Sequence, residues 1–287
     1  MSEKVMNRWL VVVGAILIQL ALGAIYAWSV FTPSLKAEGW TAVQTQYVFS
    51  AGLAAFAIVM VFAGRIMPIV GPRKLAIAGG IVLGLGYLLV GILDTTSFIP
   101  VFTLVGIVGG AGIGLAYVVP IAVGTRWFPD KKGLIMGLAV AGFGFGAMGW
   151  VKGAGAWGHL IENMGLSGTF TIYGVAFLVM VVIGGMFMVF PPDGWKPEGW
   201  DPPAPKDGQA ATGSVDFTSG EMLKTPQFFM IFFCFVAGGG AGLMSIGLMK
   251  LYPIEALQAN GYETAKASAI AGLAMAVFFS LANGIGR

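Results

Sequence analysis

The chain has 287 residues, of which 57% are hydrophobic and only 10% are charged, and its formal net charge is +3. Soluble globular domains are roughly 45–50% apolar and about 25% charged, so this composition excludes a water-soluble enzyme and a disordered chain. The single cysteine and the single histidine exclude a disulfide framework and a zinc cluster, and we expect no metal or other cofactor. The basic residues are scattered in short loops, so no nucleic-acid partner is expected. The composition is that of an integral membrane protein.

Eight apolar stretches approach or exceed the roughly 20 residues that a helix needs to cross a bilayer. Their predicted bounds are Trp9–Phe31, Tyr47–Gly64, Leu75–Leu93, Phe98–Gly124, Leu134–Ala156, Phe170–Phe190, Phe228–Tyr252 and Ala265–Arg287. The first stretch follows Lys4 and Arg8, as in a signal peptide, but it is too long for a signal's apolar region and no small-residue cleavage site follows. The eight stretches are therefore numbered as spans one to eight.

The loops on the two sides of the membrane differ in their content of lysine and arginine. One side carries Lys4, Arg8, Arg65, Arg73, Lys74, Arg126, Lys131 and Lys132, and the other carries Lys36 and Lys152. Because positive loops remain in the cytoplasm, the sequence predicts a multi-pass protein of the cytoplasmic (inner) membrane with its N-terminus inside. Tryptophans near span ends are predicted to be interface anchors. These are Trp9, Trp28, Trp40, Trp127 and Trp157.

A polar segment rich in proline, Pro191–Gln227, separates spans six and seven. This composition cannot bury a core, so we predict a flexible cytoplasmic linker with a short surface helix at Thr218–Lys224. The predicted organisation is an N-terminal six-helix bundle at 1–190, the linker at 191–227, and the first two helices of a second bundle at 228–287. The last span reaches Arg287 without a polar tail, so a C-terminally truncated sequence is expected.

Glycines in the spans resemble a nucleotide motif at one place, because Gly144–Gly149 reads G-x-G-x-x-G. A dinucleotide fingerprint requires a preceding strand in a soluble βαβ unit, whereas this match lies inside span five. Glycines four residues apart instead predict close helix packing. Such sets are Gly106/Gly110/Gly114, Gly142/Gly146, Gly149/Gly153 and Gly238/Gly242.

Three cations lie within apolar or glycine-rich helical sequence, whereas every Asp and Glu lies in a loop or at a span end. A charge at the bilayer centre costs at least ~2.5–3.5 kcal/mol, so each buried cation needs a reason. Lys152 and Lys250 lie near the outer ends of their spans, which leaves open snorkelling or the lining of an anion pathway. Arg287 shares a helix face with Asn283 and is either a cavity residue or a cation close to a loop.

Neutral polar side chains add candidates for a cavity. Gln19, Gly23 and Tyr26 share one face of span one, although Gln19 could instead make an interhelical hydrogen bond. Gln46 opens span two, and Tyr117 lies mid-span four. The complete set of candidate substrate-binding residues is Arg287, Tyr26, Gln46, Tyr117, Lys250, Lys152 and Gln19.

Several segments together resemble the oxalate/formate antiporter family of the major facilitator superfamily. They are Asn7–Leu10, Gly23–Phe31, Trp127–Gly133, Ala139–Gly146, Glu221–Gln227, Gly242–Lys250 and Asn283–Arg287. The resemblance implies an all-α membrane fold of two six-helix bundles and twelve spans, about eight of them in this chain, with substrate held between the bundles. It matches Arg287 to an arginine that, with a lysine on span eleven, clamps the dianion in an oxalate carrier. It also puts Tyr26, Gln46 and Tyr117 at places similar to cavity-lining residues.

The superfamily's loop motif between spans two and three is only partly present. Gly64, Gly71 and the basic pair at 73–74 are kept, but Pro68 and Ile69 replace the usual aspartate and arginine. The resemblance implies that this aspartate helps to latch one conformational state, so the latch is in doubt here.

These observations favour a monomeric secondary transporter of small carboxylate anions that works by alternating access, as an exchanger, and not an enzyme. The alternative is a proton-coupled symporter of pyruvate or lactate. A membrane sensor without transport is a further alternative, and a channel would need a filter or a charged ring.

Overall fold

The computed structural model describes residues 6–155, 158–201 and 217–285. Within these residues every regular element is a helix, and seven helices are long and apolar enough to cross a membrane. They correspond to predicted spans one to seven. Their bounds are Arg8–Ala37, Ala42–Val70, Pro72–Leu93, Phe98–Trp127, Lys132–Ala154, Leu160–Met186 and Pro226–Leu248.

The other helices lie in the C-terminal part of the chain. Predicted span eight corresponds to a shorter apolar helix, Thr264–Phe279, which we name helix eight and which leads into the short helix Ser280–Ile285. A further helix, Leu251–Ala259, joins span seven to helix eight. The surface helix predicted after the linker is a single turn, Ser219–Met222. The structure thus confirms the prediction of an all-helical membrane protein.

Span two is longer at both ends than its apolar stretch. At its start, Thr41 and Gln44 form a reciprocal capping box, so the helix begins at Ala42. At its end, the helix continues through Pro68 and ends at Gly71, whose φ of +90° is a conformation that side chains with a Cβ rarely adopt. Most of the loop motif is therefore helical.

Glycines bring two pairs of spans into backbone contact, as predicted. A Cβ on Gly110 of span four would lie 2.3 Å from the carbonyl oxygen of Gly52 in span two. A Cβ on Gly146 of span five would lie 2.4 Å from the carbonyl oxygen of Leu20 in span one. Since backbone atoms cannot yield to such an approach, the small-residue faces fix how closely these helices pack.

Other glycines depart from the prediction. Gly84 of span three and Gly174 of span six form an unpredicted interface, in which a Cβ on either residue would lie within 2.8 Å of the other's carbonyl oxygen. Gly149 and the pair Gly238/Gly242, by contrast, have no atom of the described residues within 4 Å of such a Cβ. Four-residue spacing marks a possible packing face, and only the neighbouring helix decides whether it is used.

The spans have two ends, which we name by the residues at the two ends of span one. The Arg8 end is the side where span one begins, and the Lys36 end is the side where it ends. At the Arg8 end, Arg8 Nη1 donates to Asp130 Oδ1 at 2.9 Å, and the guanidinium lies 4.5 Å from the centre of the Phe128 ring. The ring of Trp195, inside the predicted linker, packs edge-on against Trp127 at 4.8 Å. The first residues of that segment therefore lie against the bundle, and the division into two bundles stays a prediction.

The interface-anchor prediction is wrong for three of the tryptophans. Trp28, Trp40 and Trp127 are buried, and each donates its indole N–H to a backbone carbonyl on another segment. The acceptors are the carbonyls of Thr45, Thr96 and Val189, respectively. Trp9 is 47% exposed, and Trp157 lies outside the described residues. The acceptors lie in the first turn of span two and in the chain just beyond spans three and six, which a span-by-span analysis does not show.

Candidate functional site

A group of aromatic rings lies where spans one, two, four and five meet, and we name it the aromatic cluster: Tyr26, Phe56, Tyr117 and Phe143. Phe143 is the middle residue of span five, and its ring makes edge-to-face contacts with Tyr26 at 5.0 Å and Tyr117 at 5.1 Å. Phe56 packs on Tyr117 at 5.1 Å. Phe56 is likewise the middle residue of span two, so the cluster lies about halfway along these two spans.

Gln19 lies about two helical turns before Tyr26 on the same face of span one and is fully buried. Its Nε2 donates to the carbonyl oxygen of Tyr117 at 3.5 Å, whereas its Oε1 accepts no hydrogen bond from the described residues. A buried polar atom without a partner typically costs about 1–3 kcal/mol, so such an atom needs an explanation. The unpaired atom is thus an acceptor, which can bind only a hydrogen-bond donor.

Helix eight closes the cluster on the side of span one. The Ser29 hydroxyl donates to the Met275 thioether sulfur at 3.3 Å, and both residues are 1% exposed. Toward the Arg8 end, the rings of Tyr26 and Phe279 meet edge-on at 6.2 Å. These contacts lie where both helices are irregular, span one as a 3₁₀ helix over Gly23–Val30 and helix eight as a π-helix over Met275–Phe279. Such stretches often mark hinges and functional sites.

The two candidate lysines lie together at the Lys36 end. Lys152 of span five is only 6% exposed, and Lys250, after span seven, is half-buried. Both line one cavity of about 460 Å³. A snorkelling lysine keeps its ammonium group in water, whereas the Lys152 side chain is covered by protein. Snorkelling alone therefore does not explain the position of Lys152.

The structure brings together some predicted site residues and not others. Gln19, Tyr26 and Tyr117 meet at the aromatic cluster, whereas Lys152 and Lys250 line the cavity at the Lys36 end. Gln46 is half-buried in the first turns of span two, and Arg287 lies outside the described residues. Sequence reasoning missed Phe56, Phe143, Ser29, Met275 and Phe279. The only signal for Phe143 was an aromatic residue within a run of glycines.

Comparison with known proteins assigns this helical arrangement to a family. The profile of the Major Facilitator Superfamily matches residues 6–287. The chain belongs to this superfamily. Its members are membrane transporters, which agrees with the seven long apolar helices and confirms the predicted multi-pass membrane fold.

Three relatives illustrate the similarity. An uncharacterized MFS-type transporter, YhjX, of Escherichia coli K12 is 33% identical over 251 residues, which are 85% of this chain and 57% of that protein. The oxalate:formate antiporter of Oxalobacter formigenes is 26% identical over 244 residues, 84% of this chain and 54% of the antiporter. The apicoplast pyruvate carrier 1 of Toxoplasma gondii is 34% identical over 102 residues, 36% of this chain and 18% of the carrier. The chain thus spans little more than half the length of the first two.

Proposed function

We propose that the protein is a secondary transporter that exchanges small carboxylate anions by alternating access. It lies in the inner membrane with the Arg8 end in the cytoplasm. The observation that carries this proposal is the aromatic cluster, which includes two tyrosines and is closed by helix eight. Binding at the membrane midplane between two helical repeats is the usual arrangement in transporters of this architecture.

A carboxylate that leaves water needs hydrogen-bond donors and a positive charge. Tyr26 and Tyr117 carry hydroxyl groups, and the Gln19 amide nitrogen has a second N–H besides the one it donates to the Tyr117 carbonyl oxygen. The ring edges of the cluster have a positive partial charge. We assign the charge to Arg287, whose guanidinium can pair with a carboxylate through two parallel hydrogen bonds. The similarity to the oxalate:formate antiporter supports this choice of substrate.

The contact between span one and helix eight suits a pathway that opens and closes. It consists of a hydroxyl–thioether hydrogen bond and one ring pair, without an ion pair between these contact residues. Opening such a contact exposes no unpaired charge, so its cost is small compared with breaking a buried salt bridge. Rocking of helix eight away from span one would expose the cluster to the Lys36 end.

A second candidate is proton-coupled symport of a monocarboxylate, which the similarity to the pyruvate carrier favours. The buried polar and charged side chains of the described residues are Gln19, Ser29, Thr32, Thr45, Thr95, Lys152 and Thr169. No carboxylate is among them, so this part of the chain offers no buried acid as a proton carrier. Exchange of one carboxylate for another requires none.

Counterflow in proteoliposomes distinguishes the two candidates. Vesicles preloaded with oxalate or formate should take up radiolabelled oxalate, formate or lactate without an imposed pH gradient. Uptake that needs an inward proton gradient, and no internal substrate, would replace exchange by symport.

Variants of Arg287 test the anion site. Arg287→Ala should abolish uptake, and Arg287→Lys should lose most of the affinity, because removing one partner of a buried ion contact typically costs about 3–5 kcal/mol. Arg126→Lys is the control, since Arg126 is exposed at the Arg8 end and stacks on Phe190 at 3.9 Å. Near-normal uptake by correctly inserted Arg287→Ala would overturn the assignment.

A further inference from the structure

The cavity at the Lys36 end is separate from the aromatic cluster. Its charged and hydroxyl-bearing lining residues are Ser34, Lys152, His159, Glu162, Lys250 and Ser268. They come from span one, span five, the start of span six, the segment after span seven, and helix eight. One cavity is thus built jointly by the six-span region and the C-terminal helices.

The floor of this cavity is the contact between Ser29 and Met275. On helix eight, Gly272 lines the cavity and Met275 lies about one turn deeper. On span one, Val30 lines the cavity and its neighbour Ser29 makes the contact. Because Ser29 and Met275 are both 1% exposed, the floor separates the cavity from Tyr26, one further turn below.

The charge of the cavity favours an anion. Lys152 and Lys250 contribute two positive charges, and Glu162 contributes one negative charge. The Glu162 carboxylate is engaged by His159, with 2.9 Å between Oε2 and Nδ1. Burial of the Lys250 ammonium group in a partly covered pocket is unfavourable, and an arriving anion offsets part of that cost.

We propose that this cavity is a vestibule in which a small carboxylate binds first, before the Ser29–Met275 contact opens toward the aromatic cluster. The identity of the anion rests on the proposed function. A lysine ammonium is a compact charge on a flexible stem, unlike the fork of an arginine, so it suits weak capture and fast release. Lys152 and Lys250 attract the anion, whereas Glu162 limits how tightly it is held.

Sidedness provides the test, because the vestibule opens to one face of the membrane only. Oxalate exchange is measured in right-side-out and inside-out vesicles. Lys250→Gln and Lys152→Gln should each raise the KM for oxalate added at the Lys36 end by about tenfold, which is typical of charge-steered capture. The KM for oxalate added at the Arg8 end, and the maximal rate, should stay unchanged. Glu162→Gln should lower the KM at the Lys36 end.

Two further variants keep the test interpretable. Lys152→Arg retains the charge in case Lys152→Gln fails to fold, and it should keep the KM close to that of the wild type. Lys266→Gln removes a charge from an exposed site at the same end but outside this cavity, and its KM should not change. Equal changes in KM at both membrane faces would overturn the proposal of a vestibule. So would a change in KM with Lys266→Gln as large as that with Lys250→Gln.

Equilibrium binding separates this inference from the proposed function. In Arg287→Ala protein, weak binding of radiolabelled oxalate should persist, and Lys250→Gln should abolish it. If the wild type exchanges no carboxylate but this weak binding is present, the proposed function is wrong and the vestibule is retained as an anion-binding site. If exchange is normal and neither lysine variant changes the KM for oxalate at the Lys36 end, the vestibule is wrong and the proposed function is retained.

Discussion

Spans one and seven are similarly apolar, yet they differ sharply in how much protein covers them. In the most apolar 18-residue window of span one, 72% of the residues are buried, against 6% in span seven. The difference follows from contacts such as that of Gly146, whose face meets the Leu20 carbonyl, whereas no described atom approaches the face of Gly238. Hydropathy therefore determines which segments can cross a membrane, and neighbouring helices determine which faces are buried.

The largest expected effect contrasts Gly146, which packs on span one, with Gly238 of span seven. Gly146→Ala should destabilise the protein by about 3 kcal/mol, because its Cβ would press on a backbone oxygen that cannot move away. Gly238→Ala should leave stability unchanged or raise it by up to ~1 kcal/mol, because alanine favours the helix. Thermal unfolding of the purified protein in detergent measures both. Equal losses would show that span seven is packed as tightly as span five.

A smaller effect is expected from buried indoles, which hold the ends of the first spans. Trp28→Phe removes the buried N–H that donates to the Thr45 carbonyl at 2.9 Å, and loss of this hydrogen bond should cost about 1 kcal/mol. Trp9→Phe is the control, since Trp9 is half exposed, and it should change stability by less than ~0.5 kcal/mol. A larger loss from Trp9→Phe than from Trp28→Phe would contradict the stabilising role given to the buried Trp28 indole.

The smallest effect concerns two exposed carboxylates, Asp94 in the loop after span three and Glu221 in the turn before span seven. The pKa of Asp94 lies well below its ordinary value because the side chains of Ser97 and Thr96 and the backbone N–H of Thr96 donate to it. The hydroxyl and the backbone N–H of Thr218 likewise lower the pKa of Glu221. A lowered pKa in the folded state means that the carboxylate stabilises the fold above its unfolded pKa and ceases to do so as the pH falls.

Asp94→Asn should therefore lower the unfolding midpoint slightly at pH 7, and this difference should shrink as the pH falls below about 4. Glu221→Gln is the comparison, because the single turn Ser219–Met222 lies outside the packed spans and its loss should not affect global unfolding. Midpoints recorded between pH 7 and pH 3 check both variants. A difference for Asp94→Asn that grows toward low pH would contradict the role given to its hydrogen bonds.

Part of the candidate site could be predicted because its members lie on one helix. Gln19 and Tyr26 are seven residues apart, so helical geometry alone puts them on one face of span one. Phe56 and Phe143 lie on two other spans, and no spacing along the chain relates them to Tyr26. Likewise, Lys152 and Lys250 are almost one hundred residues apart, so only the fold brings them to one cavity.

The sequence by itself determined the membrane class, the seven long spans and the superfamily motifs, because twenty apolar residues have few alternatives to a helix across a bilayer. Tertiary structure decided which glycine faces are used and which tryptophans are buried. It also decided how helix eight meets span one. These features depend on backbone and side-chain groups that approach within a few ångströms from distant parts of the chain, as Met275 approaches Ser29. Hydropathy carries no information about such partners, because every span is apolar on most of its surface.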